Sequence, residues 1–347
     1  MLTGKRVVVT GGTGSLGRAL VRRLLEGPMG EPERIVVFSR SEAHQHQMRL
    51  DFQNRAVATD DIVYEEARYQ RIVFRIGDVS DNGAVMAVLR GADVVFHAAA
   101  MKQVPTCEYN PWEAVKTNVL GAENIVRAIR DGGLPVSAVI GVSTDKACKP
   151  VNVMGMTKAV QERTLTSANL EAPGTRFAVA RYGNVLASRG SVVPLFREQI
   201  AAGGPVTLTT PEMTRFLMTL DQAVDTVFAA LRSARPGETY VPLVPSARMV
   251  DLAAAMVGNS GVETKFVGIR PGEKVHEVLV SEEEASRTHH RDGHLVVLPI
   301  LPELRSSDPD GPPLGQREYS SADRLLDREE CRALLARHGM LPPAPGP

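Results

Sequence analysis

The chain has 347 residues, 43% of them hydrophobic, and its 40 lysines and arginines equal its 40 aspartates and glutamates. This length suits one large or two smaller domains, and the neutral balance gives no support for a nucleic-acid-binding surface. Cys107, Cys148 and Cys331 have neither disulfide nor metal-ligand spacing, which is typical of reduced thiols. Because no leader-like segment or long apolar run is present, we expect a cytoplasmic protein without a membrane span.

Short apolar strands alternate with amphipathic helices in the first half of the chain. The predicted strands are 6–10, 34–38, 72–76, 93–97, 138–142 and 177–180. The predicted helices are 16–25, 112–129 and 152–165, and the polar stretch 54–70 is expected to be a surface excursion. This alternation predicts an α/β fold with a doubly wound, Rossmann-like parallel sheet covered by helices on both faces.

The texture of the sequence changes after residue 183, where prolines recur and strand and helix signals shorten. We therefore expect a first, Rossmann-like domain at 1–183, with a return segment at about 219–245 that holds a helix at 221–231 and a strand at 239–244. A smaller domain comprises 184–218 and 246–340, with a loop at 306–315 and a helix at 327–338. Residues 341–347 are expected to form a flexible tail.

A Gly-rich turn, residues 10–17, follows the first strand and opens the first helix. One glycine supplies unusual dihedral angles, a second lets the backbone approach a pyrophosphate, and a third lets the helix pack on its strand. The helix N-terminus then stabilises the anion. These features predict dinucleotide binding, the alternative being a Gly-rich turn with no ligand. The predicted residues are Gly11, Thr13, Gly14, Ser15, Leu16 and Gly17.

Ser39 and Arg40 end the second strand, where an acidic residue would hold the ribose 2′-hydroxyl of NAD. Because they suit a 2′-phosphate instead, NADP is favoured and NAD remains possible. Alternatively, Arg40 stacks on adenine with either cofactor. The other predicted cofactor-binding residues follow the third and fourth strands: Asp78, Val79, Ala98 and Ala99. Asp78 is placed to accept from the adenine amino group, and the alanines leave room for the cofactor.

Five more motifs follow in order. They are Ala99-Ala100-Met101-Lys102-Gln103-Val104-Pro105, Ser143-Thr144-Asp145-Lys146-Ala147, Arg181-Tyr182-Gly183-Asn184-Val185, Met213-Thr214-Arg215-Phe216 and Arg270-Pro271-Gly272-Glu273-Lys274. With the Gly-rich turn, they make nearly the whole chain resemble the UDP-N-acetylglucosamine 4,6-dehydratases. These are CapD-like polysaccharide-biosynthesis enzymes of the extended short-chain dehydrogenase class. The resemblance implies a lyase that uses NADP and a UDP-sugar.

The resemblance also implies an internal redox cycle. The cofactor takes a hydride from carbon 4 of the sugar, and the resulting ketone acidifies the proton on carbon 5. Water then leaves across carbons 5 and 6, and the hydride returns to carbon 6, so no net oxidation occurs. Such a cycle needs a base for the 4-hydroxyl, a base for carbon 5 and an acid for the leaving hydroxyl.

One departure from the short-chain dehydrogenase pattern concerns the usual Tyr-x-x-x-Lys. Met154 stands at the tyrosine position and Lys158 at the lysine position. Since methionine cannot exchange protons, either the chain is inactive or an Asp-Lys pair does the acid–base work, as in similar branches of the family. The resemblance then implies that Asp145 protonates the leaving hydroxyl and that Lys146 is the base at carbon 5.

The same resemblance places Thr144 near the 4-oxygen and Lys158 at the nicotinamide ribose. A free lysine has a pKa of about 10.4, so roughly one in 2,500 is neutral at pH 7. As a base, Lys146 is expected to need a pKa lower by about two to three units. Burial and Lys158 would lower it, and an ionised Asp145 would oppose them. The alternative is a surface Asp-Lys ion pair, against which the position at a strand end argues.

The substrate side follows from the same motifs. The implied residues are Lys102, Arg181, Asn184, Arg215, Arg270 and Glu273. Arginine binds phosphate oxygens with two parallel hydrogen bonds, and Glu273 would accept from a ribose hydroxyl of UDP. Lys102 is expected to contact both the cofactor and the substrate. The alternative for any one arginine is a solvated surface charge. The histidines show no metal-ligand pattern, so no metal is predicted.

The predicted reaction is the NADP-dependent dehydration of a UDP-N-acetylhexosamine, with UDP-N-acetylglucosamine favoured, to a 4-keto-6-deoxy sugar nucleotide. The alternatives are a UDP-sugar 4-epimerase, a 5,6-dehydratase and a non-catalytic NADP-binding protein. The missing tyrosine argues against the epimerase. Helices 112–129 and 152–165 occupy the places where this class pairs, so a homodimer or larger homo-oligomer is expected, with no nucleic-acid or membrane partner.

Overall fold

The structure, a computed structural model, describes residues 1–53, 71–186, 191–306 and 310–342. In chain order its strands are β1 (Arg6–Thr10), β2 (Arg34–Ser39), β3 (Ile72–Ile76), β4 (Val94–His97), β5 (Ala138–Thr144), β6 (Arg176–Tyr182), β7 (Val206–Leu208), β8 (Thr214–Phe216), β9 (Thr239–Pro242), β10 (Ser246–Arg248), β11 (Thr264–Phe266), β12 (Val278–Val280), β13 (Thr288–Arg291), β14 (His294–Val297), β15 (Tyr319–Ser320) and β16 (Leu325–Leu326). Its α-helices are α1 (Ser15–Glu26), α2 (Glu42–Gln53), α3 (Asn82–Leu89), α4 (Val104–Tyr109), α5 (Pro111–Ala114), α6 (Gly121–Gly132), α7 (Val153–Glu171), α8 (Val192–Ala201), α9 (Leu220–Ser233), α10 (Met249–Val257), α11 (Glu282–Ala285) and α12 (Arg328–Arg337).

Within the described ranges, nine strands form one sheet in the order β3-β2-β1-β4-β5-β6-β9-β14-β13. The strands from β3 to β9 run parallel, and β14 and β13 continue the sheet antiparallel. The order 3-2-1-4-5-6 is that of a doubly wound Rossmann sheet. The predicted α/β, mostly parallel fold is therefore confirmed.

Strand β1 explains why both faces of this sheet are covered. Val7 and Val9 belong to one buried cluster and Val8 to another, because successive side chains of a strand point to opposite faces. Helices α1 and α9 supply apolar side chains to the first cluster, and α3, α6 and α7 supply them to the second. A strand buried on both sides reads as the continuous apolar run seen in the sequence.

A separate buried cluster lies outside the large sheet. It joins α8, β7, α10 and α12 through side chains that include Phe196, Leu208, Leu252 and Leu335. The second half of the chain thus has a core of its own.

The hairpin β13–β14 departs from the predicted domain boundaries, which placed it in the smaller domain. Strand β14 pairs with β9 and so extends the large sheet. Asp292 and Gly293 form the turn with φ of 47° and 76°, the left-handed pair that a two-residue hairpin turn requires. An Asp-Gly pair is a hairpin signal in the sequence, and here it marks the turn between β13 and β14.

The predicted helix at 112–129 is not uniform in the structure. Helix α5 leads into a π-helical turn at Val115–Leu120, and α6 follows it. Within the turn, Asn118 accepts from the Met101 N–H at 2.8 Å and donates to the Met101 carbonyl at 3.0 Å. The wide turn therefore fixes the backbone that follows β4, and such turns are frequent at functional sites.

Other predicted boundaries differ less. The predicted helix at 152–165 extends to Glu171 as α7. The predicted excursion at 54–70 lies outside the described residues, as do 307–309 of the predicted loop and 343–347 of the predicted tail.

Candidate active site

A crevice of about 650 Å³ opens at the carboxyl ends of β1, β2, β4 and β5. Strand order reverses between β1 and β4, which is where open parallel sheets bind ligands. All the predicted site residues except Arg181 and Arg215 line it. They are Gly11, Thr13, Gly14, Ser15, Leu16, Gly17, Ser39, Arg40, Asp78, Val79, Ala98, Ala99, Lys102, Thr144, Asp145, Lys146, Met154, Lys158, Asn184, Arg270 and Glu273.

The Gly-rich turn has no room for side chains at two positions. Gly11 has a φ of 65°, and a Cβ there would lie 2.7 Å from the Ala99 Cα. A Cβ on Gly17 would lie 2.5 Å from the Gly11 carbonyl oxygen. Gly14 precedes α1 and no side chain caps the helix there, so first-turn N–H groups remain for an anion.

Arg40 and Asp78 face each other at the end of the crevice beside β2 and β3. The Arg40 side chain is 60% exposed, and its Nη1 lies 3.5 Å from Asp78 Oδ2. The other oxygen of Asp78 accepts from the N–H and hydroxyl of Ser80, both at 2.9 Å. Because an exposed ion pair of this length is weak, Arg40 can turn to a stronger anion.

The end of β5 carries the predicted acid–base residues. Thr144 Oγ1 donates to Asp145 Oδ1 at 2.9 Å, and Lys146 Nζ donates to the same oxygen at 3.0 Å. Asp145 is buried, and within the described parts of the chain its Oδ2 has no hydrogen-bond partner. Thr144, Asp145 and Lys146 therefore form one hydrogen-bonded group at the crevice wall, not a surface ion pair.

The expected depression of the Lys146 pKa is wrong for this structure. Burial lowers the pKa of Lys146, but Asp145 and Glu277 outweigh burial and the nearby Arg215, so the pKa stands above its usual value. The physical reason is a second carboxylate, Glu277, whose Oε1 lies 3.2 Å from Lys146 Nζ. Lys146 Nζ thus lies between two carboxylates that stabilise its charged form.

Lys158 differs from Lys146 in its surroundings. Its Nζ donates to the Val142 carbonyl at 2.5 Å and to Gln161 Oε1 at 2.6 Å. Burial lowers the pKa of Lys158 to about 7, although Glu162 opposes the shift. Met154, one turn earlier on α7, is buried and contributes no exchangeable proton.

The prediction that Arg181 binds substrate is contradicted by its surroundings. Arg181 is 2% exposed, and its guanidinium makes paired hydrogen bonds to Glu162 and Glu284 and donates to the Leu279 carbonyl. All five of its N–H donors are thereby used. Arg181 links β6, α7 and α11 inside the protein and has no donor left for a phosphate.

Arg215 also stands away from the crevice wall. Its Nη1 donates to the carbonyls of Thr214 and Val275, at 2.7 and 3.1 Å. Its Nε lies 3.9 Å from Glu277 Oε1. Arg215 therefore lies behind Glu277, and we do not assign it to a ligand.

The loop that carries Arg270 and Glu273 is tied to the active-site helix. Asn152 caps α7 by accepting from the Gly155 N–H at 2.8 Å, and its Nδ2 donates to the Gly272 carbonyl at 2.8 Å. This bond brings a segment from the second half of the chain to the β5 end of the crevice. Residues 120 positions apart in the sequence meet in this way.

Several crevice residues were not predicted. They are His44, Gln103, Thr117, Ser143, Tyr182, Ser191 and Leu220. Tyr182 places a phenol in the crevice, and burial raises its pKa. Its position between Arg181 and Asn184, in a motif already singled out, was the available signal.

Four buried polar atoms at the crevice have no hydrogen-bond partner among the residues that the structure describes. They are Ser143 Oγ, Asp145 Oδ2, Asn184 Oδ1 and Ser191 Oγ. Because buried polar groups in proteins are nearly always hydrogen-bonded, their clustering indicates a polar ligand. Together with the uncapped N-terminus of α1, this donor and acceptor set fits a dinucleotide and a second polar molecule.

The described part of the chain holds no group of three His, Cys, Asp or Glu side chains placed to bind a metal ion. None of its helices combines the length and apolar character needed to cross a bilayer.

Residues 7–298 match the family described as polysaccharide biosynthesis protein. The chain belongs to this family. A UDP-N-acetylglucosamine 4,6-dehydratase (inverting) from Campylobacter jejuni subsp. jejuni serotype O:23/36 (strain 81-176) is 38% identical over 87% of this chain and 85% of that protein. A UDP-glucose 4-epimerase from Rickettsia conorii (strain ATCC VR-613 / Malish 7) is 43% identical over 83% of this chain and 81% of that protein.

The X-ray structure of Pen from Bacillus thuringiensis superposes with a TM-score of 0.87 at 32% identity, over 98% of this chain and 100% of that one. Solved sugar-nucleotide dehydratases and epimerases with bound NAD share the fold at 18% to 22% identity. The relatives are thus sugar-nucleotide dehydratases and epimerases, which confirms the resemblance at that level.

Proposed function

We propose that this family member removes water from a UDP-N-acetylhexosamine, with UDP-N-acetylglucosamine favoured, and forms a 4-keto-6-deoxy sugar nucleotide. The observation that carries the proposal is the Asp145–Lys146 pair at the crevice wall, beside Met154 where a tyrosine would stand. An epimerase mechanism that relies on a tyrosine at this position has no such residue in this chain. The pair offers the acid and base that dehydration needs.

NADP is the proposed cofactor. Gly11, Gly14 and the first turn of α1 would hold its pyrophosphate, Ser39 and Arg40 its 2′-phosphate, and Lys158 its nicotinamide ribose. When bound, the nicotinamide supplies a hydride acceptor and donor. Asp78, with Val79, Ala98 and Ala99, would line the adenosine part.

The chain's own residues would handle the protons. Asp145, buried and hydrogen-bonded to Thr144, would give a proton to the leaving 6-hydroxyl. Lys146 would take the carbon-5 proton after it has passed its own ammonium proton to Asp145 Oδ1, 3.0 Å away, and this transferred proton is the one that Asp145 gives to the leaving hydroxyl. Thr144 would hold the 4-oxygen. Lys102, Asn184, Arg270 and Glu273 would bind the UDP part.

The proposal is tested by incubating the purified protein with UDP-N-acetylglucosamine in deuterated water. Dehydration gives a product lighter by one water, with deuterium at carbon 5, and NMR reports the configuration there. NADP binding without turnover of any UDP-sugar would instead make the protein a non-catalytic cofactor-binding protein.

A 4-epimerase is the second candidate, because a relative at 43% identity bears that name. Tyr182 would then supply the phenol that the missing tyrosine cannot, since it lines the same crevice. Incubation with UDP-glucose and UDP-N-acetylglucosamine separates the two reactions, since an epimerase returns an isomer of unchanged mass.

Arg40→Ala is expected to weaken NADP binding about tenfold and to leave NAD binding nearly unchanged. The reason is the loss of a charge-assisted hydrogen bond to the 2′-phosphate. Titration of the purified variant with each cofactor measures both affinities. Equal weakening for NADP and NAD would mean that Arg40 stacks on adenine instead.

We also propose that the protein is a homodimer or a larger homo-oligomer. Four large apolar side chains on the adjoining helices α4, α5 and α7 are at least 48% exposed: Tyr109, Trp112, Met156 and Val160. Covering such a patch with a second copy removes it from water. Light scattering should give at least twice the monomer mass, and Trp112→Glu should lower it.

A further inference from the structure

Glu277 is a buried acid to which the proposed mechanism gives no role. It is 2% exposed and lies between the Arg270–Lys274 loop and β12. Its N–H donates to Ser321 Oγ at 2.9 Å, and its carbonyl accepts from the Ser321 N–H at 2.8 Å. The backbone that carries the carboxylate is therefore held in place.

The carboxylate of Glu277 meets the active site through one group. Its Oε1 lies 3.2 Å from Lys146 Nζ, and its Oε2 has no hydrogen-bond partner in the described part of the chain. Lys146 lines the crevice, whereas Glu277 lies behind it. Glu277 thus has no contact with the space a ligand would fill, and it acts through Lys146.

Lys146 is held from two sides. Asp145 at the end of β5 accepts one hydrogen bond from Nζ at 3.0 Å. Glu277, on the loop before β12, places its Oε1 3.2 Å from the same nitrogen. An ammonium group has three N–H donors, so one remains for the crevice. Two fixed anchors leave a long, flexible side chain with one orientation.

The charges around this pair come from three segments. Asp145 lies on the strand end, Glu277 and Lys274 lie on the loop before β12, and Arg215 lies on β8. The two carboxylates raise the pKa of Lys146, while burial and Arg215 lower it. Removal of Glu277 leaves Asp145 as the closest anion to Lys146 Nζ.

We propose that Glu277 is a positioning residue for Lys146, holding its ammonium group at one place in the crevice and stabilising its positive charge. Its catalytic consequence rests on the proposed dehydratase function. Its effect on the charge of Lys146 does not rest on that function. The two effects can therefore be tested separately.

The experiment is competitive acetylation of the full-length protein with acetic anhydride over a pH series, read by peptide mass spectrometry. It reports the ionisation of Lys146 without turnover. In Glu277→Gln, the Lys146 midpoint should fall by about one to three pH units, because one neighbouring anion is lost. Glu277→Asp keeps the charge one methylene further back, so its midpoint should lie between the two.

Glu282→Gln is the matched control. Glu282 is also a carboxylate paired with a lysine, since its Oε2 lies 3.5 Å from Lys149 Nζ, but it is 63% exposed. This variant should leave the Lys146 midpoint and the turnover unchanged.

Kinetics separate positioning from substrate binding. Glu277→Gln should move the ascending limb of the kcat–pH profile to lower pH and lower the maximum of that profile at least tenfold, with KM for the UDP-sugar within about twofold, and Glu277→Asp should recover part of the maximal kcat. A shift in Lys146 labelling in a protein that turns over no UDP-sugar would sink the dehydratase proposal and support the control of Lys146. An unchanged Lys146 midpoint in folded Glu277→Gln, or in Glu277→Asp if the former does not fold, would overturn the inference.

Discussion

The Lys146→Ala variant is expected to lose about 1,000-fold in kcat and to stop exchanging the carbon-5 proton of the sugar with deuterated solvent. Lys146 Nζ is the amine at the crevice wall beside Asp145. Lys158, which also lines the crevice, is engaged with Val142 and Gln161. Product formation followed by mass spectrometry measures the first effect, and NMR of the recovered sugar measures the second.

Lys149→Ala is the control for this variant. Lys149 lies three residues further on and pairs with Glu282 and Glu318 outside the crevice. Its replacement should leave kcat within about twofold, as expected for a surface ion pair. Carbon-5 exchange at the wild-type rate in Lys146→Ala would show that another group is the base.

Replacing Arg181 with methionine is expected to lower the free energy of unfolding by about 3–5 kcal/mol. The change leaves the carboxylates of Glu162 and Glu284 buried without their shared cation, because both are paired with Arg181 at 2.6 Å. Urea denaturation measures the loss. A folded fraction of the variant should bind the UDP-sugar with unchanged KM, since Arg181 has no donor left for a ligand.

The loss should depend on pH. Burial would raise the pKa of Glu284, but Arg181 and Arg287 outweigh it and lower the pKa to about 2. A carboxyl whose pKa is lowered by folding stabilises the protein above its unfolded pKa, and that stabilisation disappears as the pH falls through the folded value. The difference in the free energy of unfolding between wild type and Arg181→Met should therefore become smaller as the pH falls from about 4.5 to about 2.

Arg22→Met serves as the comparison, because Arg22 is 55% exposed and pairs with Asp221 at the surface. It should cost less than about 1 kcal/mol. If Arg181→Met costs no more than this and instead raises KM, the original assignment of Arg181 to the substrate would be restored.

Local patterns in the sequence predicted the parallel strands of the large sheet and the Gly-rich turn of the site. The strands β1 and β3 begin and end where their apolar runs do, and the Gly-rich turn lies where the φ of Gly11 and the closeness of Ala99 require it. Both features depend on neighbours in the chain: side-chain alternation in one case, and a backbone dihedral in the other.

The sequence did not predict which charged residues line the crevice. Arg181, Arg215 and Arg270 all lie in motifs with the same chemistry, yet of these three only Arg270 lines the crevice. A charged side chain is set by its partners, and here those partners come from remote segments: Glu284 lies 103 residues from Arg181. Nothing in the local sequence states that distance.

By itself, the sequence determined that this protein is a doubly wound α/β chain with a glycine-rich turn between its first strand and first helix and an Asp-Lys pair at the end of its fifth strand. The tertiary structure alone decided that Arg181 is buried in ion pairs with Glu162 and Glu284 and that Lys146 lies between the carboxylates of Asp145 and Glu277. The physical reason is that side-chain periodicity and backbone dihedral angles depend on a few neighbouring residues. The burial and the ion pairs of a charged side chain depend on which distant segments pack together.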